Sequence, residues 1–520
     1  MSDLRTASAI DVPQVIDAKP AFSNFSFIES LFGNLDSIRR IFSQVRFLGY
    51  KTLIVEHIDS VGFSKEDDLD LQSEGISIVL DPLVRVSFFR NEFKNIADIT
   101  SQDNSSFLGY AILKKIPPDG HWIVFESVII SPRHDNNYLH KLRKYNVNVG
   151  GKLFNVKGIL YCQQNSLTNV CAHAALRTCI SIITPPADFS YSLMNKILRD
   201  GGKPHVLKQG LSIEQIVLIL ENLNIKYSLQ VFPRKLSQDS SDKTQVNEIP
   251  YQSFLYSSIE SGYPALLGFS LEELGAHIIP VFGHTFNQDT WVPKAKTSYF
   301  EVGKDTRYVP SETWVSTYIC HDDNFGSYYC LPRNYLTNEN EITVIALRPF
   351  NAEFDAILAE AIAADYLYTL KPIIHKEGET NEWAKRLDGA INQKGGWFVL
   401  RTLCMSVEEY IEHLRLLKGW GNETIPTKLL SALSAGLPKL LWVAEVSLPE
   451  LFPANKRKLG EIVLDAGKVA TPKPDLANFV LARILNKVYC FERSKENIGL
   501  VEYDAEIKTH TDLFSTQILN

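Results

Sequence analysis

A cysteine at the start of a predicted helix is the residue best placed to do chemistry. Residues 161–183, YCQQNSLTNVCAHAALRTCISII, put Cys171 directly after a short polar loop, in which Thr168 or Asn169 can cap the helix through a side-chain oxygen. A thiol in the first helical turn lies in the positive end of the helix dipole, which favours the thiolate. The sequence therefore predicts a nucleophilic thiol at Cys171.

A nucleophilic thiol needs a general base, and the predicted base is His277. This histidine opens the apolar run 278–282, as expected of a residue at the start of a buried strand. Asp322 and Asp323 follow a second predicted strand, where a carboxylate can hold the imidazole in one tautomer. Together these residues are the predicted means of activating the thiol.

The residues that stabilise the oxyanion and orient the base have alternatives. Gln163 and Gln164 lie upstream of the cysteine and are candidate oxyanion donors, of which Gln164 is favoured. Asn287 and Asp289 lie nearer to His277 in the sequence than the two aspartates do. They are the alternatives for the group that orients the imidazole.

Three other histidines compete with His277 for the role of base. His173 is two residues after the cysteine and therefore points from a different side of the helix. His284 is expected at the far end of the strand that His277 opens. His321 precedes Asp322 and faces the opposite side of its strand by alternation. The six cysteines other than the nucleophile are predicted to be small buried residues.

The order of these residues resembles that of the papain-like cysteine peptidases, most closely their bacteriocin-processing (C39-like) branch. That family has a glutamine, a cysteine at a helix start, a histidine on a strand, and an acidic or amide residue at the end of the next strand. Residues 210–232 add to the resemblance with a Gly-Leu-Ser start, an amphipathic helix and a strand. The resemblance covers about residues 155–335.

The chain departs from the family pattern in three places. Asn165 stands where the family usually has its glutamine, and Ala172 stands where a glycine or tryptophan usually follows the cysteine. The segment between His277 and Asp322 is also longer than is usual. Within the resemblance, Asp322 is the preferred acid because the family's acid is the first turn residue after its strand.

The resemblance implies a papain-like fold and a thiol-dependent hydrolase. In that fold a helix bearing the cysteine packs on an antiparallel sheet bearing the histidine and the acid. The implied reaction is cleavage of a peptide or isopeptide bond through an acyl-enzyme, with no metal or organic cofactor. The alternatives are a catalytically inactive module that binds a peptide or protein within a scaffold, and a deamidase or acyltransferase that uses the same triad.

Composition excludes some classes of partner. The chain has 520 residues and a net charge of −7, without a block of lysine or arginine, which argues against nucleic acid. Its seven cysteines show no paired or metal-type spacing, which favours free thiols in a reducing, cytoplasmic compartment. No apolar window is long enough for a signal peptide or a membrane span.

The chain is expected to be a multidomain α+β protein. Residues 1–22 are predicted to form a flexible tail, 23–150 a sheet-rich α+β domain, 151–348 the peptidase-like domain with an insertion at 286–312, and 349–520 a mixed α/β domain. The first and last domains carry no catalytic constellation and are expected to contact protein partners.

Two segments of the last domain carry specific expectations. A helix is predicted to start after Ser406, because VEEYIEHLRLL follows a residue that can cap it. Residues 477–486, ANFVLARILN, are also predicted to form a helix.

Overall fold

The structure is a computed structural model of the 520-residue chain. It describes residues 3–17, 24–33, 35–77, 82–116, 120–131, 137–139, 141–165, 170–183, 189–206, 209–234, 249–271, 275–287, 308–337, 340–392, 398–434, 436–452, 454–470, 478–493 and 498–514. In these residues the chain forms mixed α+β structure on three large, mainly antiparallel sheets, and the predicted α+β class is confirmed. No helix in the described ranges is long and apolar enough to cross a membrane.

The N-terminal part is a sheet covered by helices. Its elements are β1 (Gln14–Asp17), α1 (Asn24–Phe32), α2 (Asp36–Phe47), β2 (Thr52–Ile58), α3 (Phe63–Ser73), β3 (Leu83–Phe89), the 3-10 helices Ile96–Ser101 and Asn104–Ser106, β4 (Phe107–Ile116) and β5 (His121–Ile129). The strands follow the order β1-β2-β3-β4-β5 and all pair antiparallel. Ile38, Ile41 and Val45 recur at helical spacing on α2 and pack with Phe88 of β3, which fixes the helix on one face of the sheet.

Residues 3–17 pack on this sheet, although a flexible tail is predicted for residues 1–22. Strand β1 pairs with β2 along its whole length. Leu4 is buried, and the Nε of Arg5 donates to a carboxylate oxygen of Glu126 at 2.9 Å. Strand pairing and a buried ion pair therefore hold a segment whose polar composition gives little sign of either.

A short connecting region leads to the second sheet. It contains β6 (Asn137–Leu139), β7 (Arg143–Val149) and β8 (Lys152–Gly158). Strands β7 and β8 form an antiparallel hairpin, and Val147 and Phe154 from it pack on the second face of the first sheet. The strand β6 instead belongs to the second sheet.

The middle part carries the predicted site. Its elements are α4 (Cys171–Ile183), α5 (Tyr191–Asp200), α6 (Ile213–Asn222), β9 (Lys226–Phe232), α7 (Tyr251–Glu260), β10 (Ala265–Leu271), β11 (Gly275–Phe286), β12 (Val309–Pro310), the 3-10 helix Ser311–Trp314, β13 (Val315–Asp322), β14 (Gly326–Pro332) and β15 (Ile342–Arg348). The sheet order is β14-β13-β11-β10-β15-β9, antiparallel throughout, with β6 paired to β11.

The helix α4 lies on this second sheet. Leu176 and Ile180, four residues apart, are fully buried and form one cluster with Leu266 of β10 and Ile345 of β15. The alanines of the first two turns are buried as well, so that the start of the helix comes close to β11. Packing thus places the first residue of α4 beside the strand that begins with Gly275.

The C-terminal part has its own sheet with helices. Its elements are α8 (Ala356–Thr369), α9 (Lys371–Glu377), α10 (Glu382–Asn392), β16 (Val399–Ser406), α11 (Val407–Leu416), α12 (Thr427–Ser434), β17 (Leu440–Ser447), β18 (Arg457–Lys458), β19 (Gly460–Asp465), β20 (Phe479–Ile484), β21 (Lys487–Arg493), β22 (Ile498–Asp504) and β23 (Thr511–Asp512). The sheet order is β12-β16-β17-β19-β20-β21-β22, and the β12–β16 pair is parallel. The helix α11 begins after Ser406, as predicted, and a capping box with Glu409 fixes that start.

The prediction of a helix for residues 477–486 is wrong. The segment forms β20 and the turn into β21, and Leu485 occupies that turn with a φ of 51°. A non-glycine residue in the left-handed region gives no turn signal in the sequence, and tertiary pairing outweighs the helix propensity of alanine and leucine.

Buried contacts cross both of the predicted domain boundaries. Strand β6 precedes the boundary at 150 but pairs with β11, and strand β12 precedes the boundary at 348 but pairs with β16. Arg401 of β16 also bonds a buried carboxylate on each side, Glu260 on α7 and Glu445 on β17, both at 2.8 Å. The boundaries stay predictions, and the three parts share their interior.

Candidate active site

Cys171 is the first residue of α4 and is half-buried. The helix begins with a hydrogen bond from the N–H of Ala174 to the carbonyl of Val170 at 3.0 Å, so Cys171 lies within the first turn. The predicted caps Thr168 and Asn169 lie outside the described residues. Side chains in this turn experience the positive end of the dipole of a thirteen-residue helix.

His277 lies near the start of β11, in contact with the thiol. Its side chain is 14% exposed, and the neighbouring side chain of Cys171 is one of the groups that raise its pKa. Phe269 is its cross-strand neighbour on β10, and the two rings meet edge-on with centroids 5.6 Å apart. The strand and the phenylalanine therefore hold the imidazole beside the start of α4.

The carboxylates at the end of β13 lie on the other side of the imidazole. Nε2 of His277 is 3.4 Å from Oδ2 of Asp322 and 3.5 Å from Oδ1 of Asp323. Since Nε2 faces the carboxylates, the ring nitrogen left for Cys171 is Nδ1. The structure thus brings the predicted nucleophile, base and acids into one line of contacts.

The surroundings of His277 favour its charged form. Burial by itself lowers the pKa of the imidazole, but hydrogen bonds with Asp322 and Cys171 and the charges of Asp322 and Asp323 outweigh it and raise the pKa to about 10. The imidazole is therefore an imidazolium at neutral pH. A cation next to a thiol is the arrangement that favours a thiolate.

Asp322 is held in position by its own turn. Its Oδ1 accepts the backbone N–H groups of Asn324 at 2.8 Å and Phe325 at 3.1 Å, which leaves Oδ2 for His277. Burial opposes ionisation, but the hydrogen bond and charge of His277 and the two N–H groups lower the pKa of this carboxyl below its ordinary value. Asp322 is therefore a fixed carboxylate.

Asp323 differs from Asp322 in its hydrogen bonding. Both of its carboxylate oxygens are buried, and neither accepts a hydrogen bond from the described residues, although Oδ1 forms the ion pair with His277. Burial raises its pKa to about 6, although the charge of His277 opposes the rise. Of the two aspartates, Asp322 is the better held and the more readily ionised.

The two glutamines have different partners. Oε1 of Gln163 accepts the hydroxyl of Ser37 at 2.8 Å and the N–H of Val124 at 3.0 Å, which ties this side chain to the N-terminal part. Nε2 of Gln164 donates to Oδ1 of Asn324 at 3.1 Å, in the turn that carries the acids. Gln164 therefore lies near the site, whereas Gln163 is hydrogen-bonded to the N-terminal part.

The three competing histidines, His173, His284 and His321, are buried and form hydrogen bonds with groups outside the site. Nε2 of His173 pairs with Oδ1 of Asn195 at 2.9 Å, and Nε2 of His284 pairs with Oε1 of Glu260 at 2.7 Å. Nδ1 of His321 accepts the backbone N–H of a residue on β14 at 3.0 Å. Burial lowers the pKa of all three, so they are structural groups in this fold.

The alternatives nearer to His277 in sequence do not join the site. Asn287 follows the far end of β11, ten residues from His277, which at about 3.4 Å per residue of antiparallel strand is on the order of 30 Å away. Asp289 lies outside the described residues, as does most of the predicted insertion at 286–312. The described end of that insertion, residues 308–312, contains β12 and contributes to the C-terminal sheet.

Three contributors to the site were not predicted from the sequence. Asn324 and Phe325 supply the backbone donors that fix Asp322, and Asn324 also receives Gln164. The signal was present in the segment HDDNFG, since an aspartate that bonds the N–H two residues on is common turn chemistry. Phe269 was not predictable, because its contact depends on the register of two strands.

The same groups have the donor types of a small cation site. The ligand atoms of His277, Asp322 and Asp323 lie within 4.8 Å of one another. An imidazole must be deprotonated to bind a metal, whereas the two carboxylates and the thiol hold His277 in its protonated form. The arrangement is therefore better suited to an ion pair than to a metal.

Comparison with models of known protein families finds no match to the chain, and comparison with curated protein sequences finds none either. The chemistry of the site is accordingly inferred from its geometry.

Proposed function

We propose that the protein is a thiol-dependent hydrolase that cleaves a peptide or isopeptide bond through an acyl-enzyme. The observation that carries the proposal is the position of His277, which is close enough to Cys171 for that side chain to raise its pKa and lies 3.4 Å from Asp322. A nucleophile, a base and a group that orients the base are the three parts that such a reaction needs.

Acylation starts from the thiolate and the imidazolium. Sγ of Cys171 attacks the carbonyl carbon of the scissile bond, and a tetrahedral oxyanion forms. His277 then gives its proton to the departing nitrogen, the carbon–nitrogen bond breaks, and the amine leaves. The acyl group remains as a thioester on Cys171, and His277 is neutral.

Deacylation restores the starting state. Neutral His277 takes a proton from water, and the resulting hydroxide attacks the thioester carbonyl. The carbon–sulfur bond breaks, the carboxylic acid leaves, and the thiolate of Cys171 is again paired with an imidazolium. Asp322 keeps the ring oriented in both halves of the reaction and stabilises its positive charge.

Two donors are available for the oxyanion. The backbone N–H of Cys171 lies in the first turn of α4, where N–H groups have no partner within the helix. Gln164 is the second donor, because an amide nitrogen carries two hydrogens and, within the described ranges, this nitrogen donates one hydrogen bond, to Asn324. Losing one such donor slows acyl transfer by roughly 100-fold or more in other hydrolases.

A cleavage experiment tests the proposal. The full-length chain is incubated with a mixture of peptides derived from a proteome, and new termini are identified by mass spectrometry. We expect cleavage by the wild type and none by Cys171→Ala, which removes only a sulfur atom from a half-buried position. Cleavage that survives in Cys171→Ala would show that another group performs the reaction.

If no cleavage occurs, the remaining hypothesis is a catalytically inactive module that binds peptides. In that case labelled peptides would bind wild type and Cys171→Ala with equal affinity, since the thiol would have no chemical role. The same assay with added amines reports acyl transfer, in which an amine instead of water accepts the acyl group.

A further inference from the structure

The helix α2 of the N-terminal part lies against the turn that carries the two acids. Asp322 at one end of this turn pairs with Gly326 at the other, which has a φ of 108°. A β-carbon at Gly326 would lie 2.8 Å from Cβ of Arg40 and 3.5 Å from Cα of Ser37, both on α2. The turn and the helix are therefore in close contact, although they belong to different parts of the chain.

A bulge interrupts the pairing of β13 and β14 next to the acid. The register shifts between Cys320 and Asp322 of β13. Between them His321 alone faces two residues of β14, Ser327 and Tyr328. Tyr328 has a φ of 48°, in the left-handed region. The regular ladder of the two strands therefore does not by itself determine where the turn lies.

Side chains of α2 bind the backbone of this bulge. Nε2 of Gln44 donates to the carbonyl oxygen of Ser327 at 2.6 Å, and the hydroxyl of Ser327 donates to Oε1 of Gln44 at 2.7 Å. Nε and Nη2 of Arg40 donate to the carbonyl oxygens of Ser327 and Tyr328 at 3.3 Å and 2.9 Å. Because Gln44 and Ser327 are both buried, losing their hydrogen bonds would leave polar groups without solvent.

The contact between the acid and the base is sensitive to small movements of the turn. Oδ2 of Asp322 is 3.4 Å from Nε2 of His277, at the upper end of hydrogen-bond distances. Asp322 and Asp323 are both among the groups that hold His277 in its charged form, and this turn carries both. A turn that moved outward by about 1 Å would therefore lose the hydrogen bond and weaken the hold on the charge.

We propose that Arg40 and Gln44 are positioning residues of the site, which hold the bulge of β14 and thereby keep Asp322 in line with His277. The proposal rests on the hydrolase function, because it gives α2 a part in the same reaction. Both residues act through the turn and not on the substrate. The N-terminal part, for which the sequence predicts contacts with protein partners, then also contributes to the active site.

NMR spectroscopy of the full chain with isotope-labelled histidine measures the charge of His277, whose signal is identified by its absence in His277→Ala. Gln44→Met removes both hydrogen bonds to Ser327 with little change in side-chain length. We expect His277 to be about nine-tenths charged at about pH 9 in the wild type and about half charged in Gln44→Met. This is a fall of about one pH unit in its pKa, within the effect of a nearby opposite charge.

A double variant shows whether the effect passes through the acid. Asp322→Asn removes the charge that α2 is proposed to position, and by itself should lower the pKa of His277. In that background Gln44→Met should lower the pKa by less than about half as much as in the wild type, since residues that act through one contact are not additive. A fall of equal size with and without Asp322 would overturn the proposal, because a general loosening of the fold does not require the acid.

The arginine supplies a second variant that remains informative if Gln44→Met does not fold. Arg40→Met removes the donors to both carbonyl oxygens and should also lower the pKa of His277, while Arg40→Lys, which keeps a cationic donor, should restore part of the loss. Losing a positive charge would by itself raise the pKa of a histidine, so a fall distinguishes lost positioning from lost charge. The matched control, Arg46→Met, removes an exposed arginine of α2 and should leave His277 unchanged.

The failure of this proposal differs from the failure of the hydrolase proposal, because the charge of His277 is measured without substrate. Peptide cleavage by the wild type, with His277 unchanged in Gln44→Met and Arg40→Met, would overturn the positioning role and leave the hydrolase. A fall in the pKa of His277 that depends on Asp322, in a chain that cleaves no peptide, would support the positioning role and overturn the hydrolase.

Discussion

At the scale of single residues, the site is a chain of charges in which each group fixes the next. Backbone N–H groups fix Asp322, Asp322 orients His277, and His277 contacts Cys171. Asp323 adds a second negative charge beside the imidazole, although its own oxygens lack hydrogen bonds in the described structure. The charge state of His277 is consequently the property on which the site depends.

The raised pKa of His277 predicts a pH dependence of stability. The imidazole has a pKa of about 10 in the folded chain and an ordinary value of 6.5 when unfolded. A raised pKa stabilises the fold fully below the unfolded value, and the contribution is lost as pH rises through the folded value. The free energy of unfolding of the wild type, relative to His277→Ala, should therefore decrease between about pH 6.5 and pH 10.

Urea unfolding of the two proteins at several pH values measures this difference. Comparison with His277→Ala removes the contributions of groups that titrate in both proteins. A difference between wild type and variant that is constant over the whole range would contradict a charged His277 in the folded state.

The order of the site residues could be predicted, but the choice among neighbours could not. Cys171, His277 and Asp322 were identifiable because each stands at the end of an element with a clear pattern. Gln163 and Gln164 are adjacent and identical in type, so only the tertiary contacts with Ser37 and Asn324 separate them. Contacts of this kind leave no local signal.

At the scale of elements, β11 determines the geometry of the site. It carries His277, pairs with β10 and β13, and receives the start of α4. Its second half pairs with β6, from outside the predicted peptidase-like domain, around Gly283. A side chain at Gly283 would lie 2.8 Å from the carbonyl oxygen of Tyr138 and would also collide with Leu139, which explains the glycine.

Replacing Gly283 tests this pairing. Gly283→Ala should force β6 away from β11 and lower the free energy of unfolding by about 1–3 kcal/mol, the usual cost of overpacking. Gly210→Ala is the control, because a β-carbon there meets nothing within 4 Å. Chemical denaturation of both variants measures the effect, and equal stabilities would refute the close approach of the two strands.

Local signals predicted elements well where caps or periodicity were strong. The start of the helix α11 was predictable from Ser406, a residue that can cap it. The hairpin of β20 and β21 was missed because Leu485 makes its turn with a positive φ that the residue type does not announce.

At the scale of the whole molecule, a buried ionic cluster joins the middle and C-terminal parts. Arg401 of β16 bonds Glu260 and Glu445, and both carboxylates are fully buried. Glu260 in turn accepts a hydrogen bond from His284 on β11, the strand that carries His277. Such pairings between distant segments have no signature in sequence, because they depend on tertiary contacts across more than a hundred residues.

Removing the arginine should destabilise the molecule as a unit. Arg401→Ala leaves the buried carboxylate of Glu260 without its arginine and Glu445 with Lys458 as its remaining cation, which costs about 3–5 kcal/mol of unfolding free energy. Arg386→Ala is the control, since that arginine is 58% exposed and its ion pair with Glu450 is long, at 3.9 Å. A loss in Arg401→Ala no larger than in the control, measured by urea unfolding, would argue against coupling between the two parts.

The most direct test of the central claim is the pH profile of Cys171 alkylation by iodoacetamide in the wild type and in His277→Ala. The exposed Cys330 serves as the accessible reference thiol and the buried Cys179 as an inaccessible one. An ordinary thiol ionises near pH 8.5 and is almost entirely protonated at about pH 6. The thiolate–imidazolium pair predicts rapid labelling of Cys171 at about pH 6 that is lost in His277→Ala, whereas a profile that follows Cys330 and ignores His277 would contradict the proposed hydrolase.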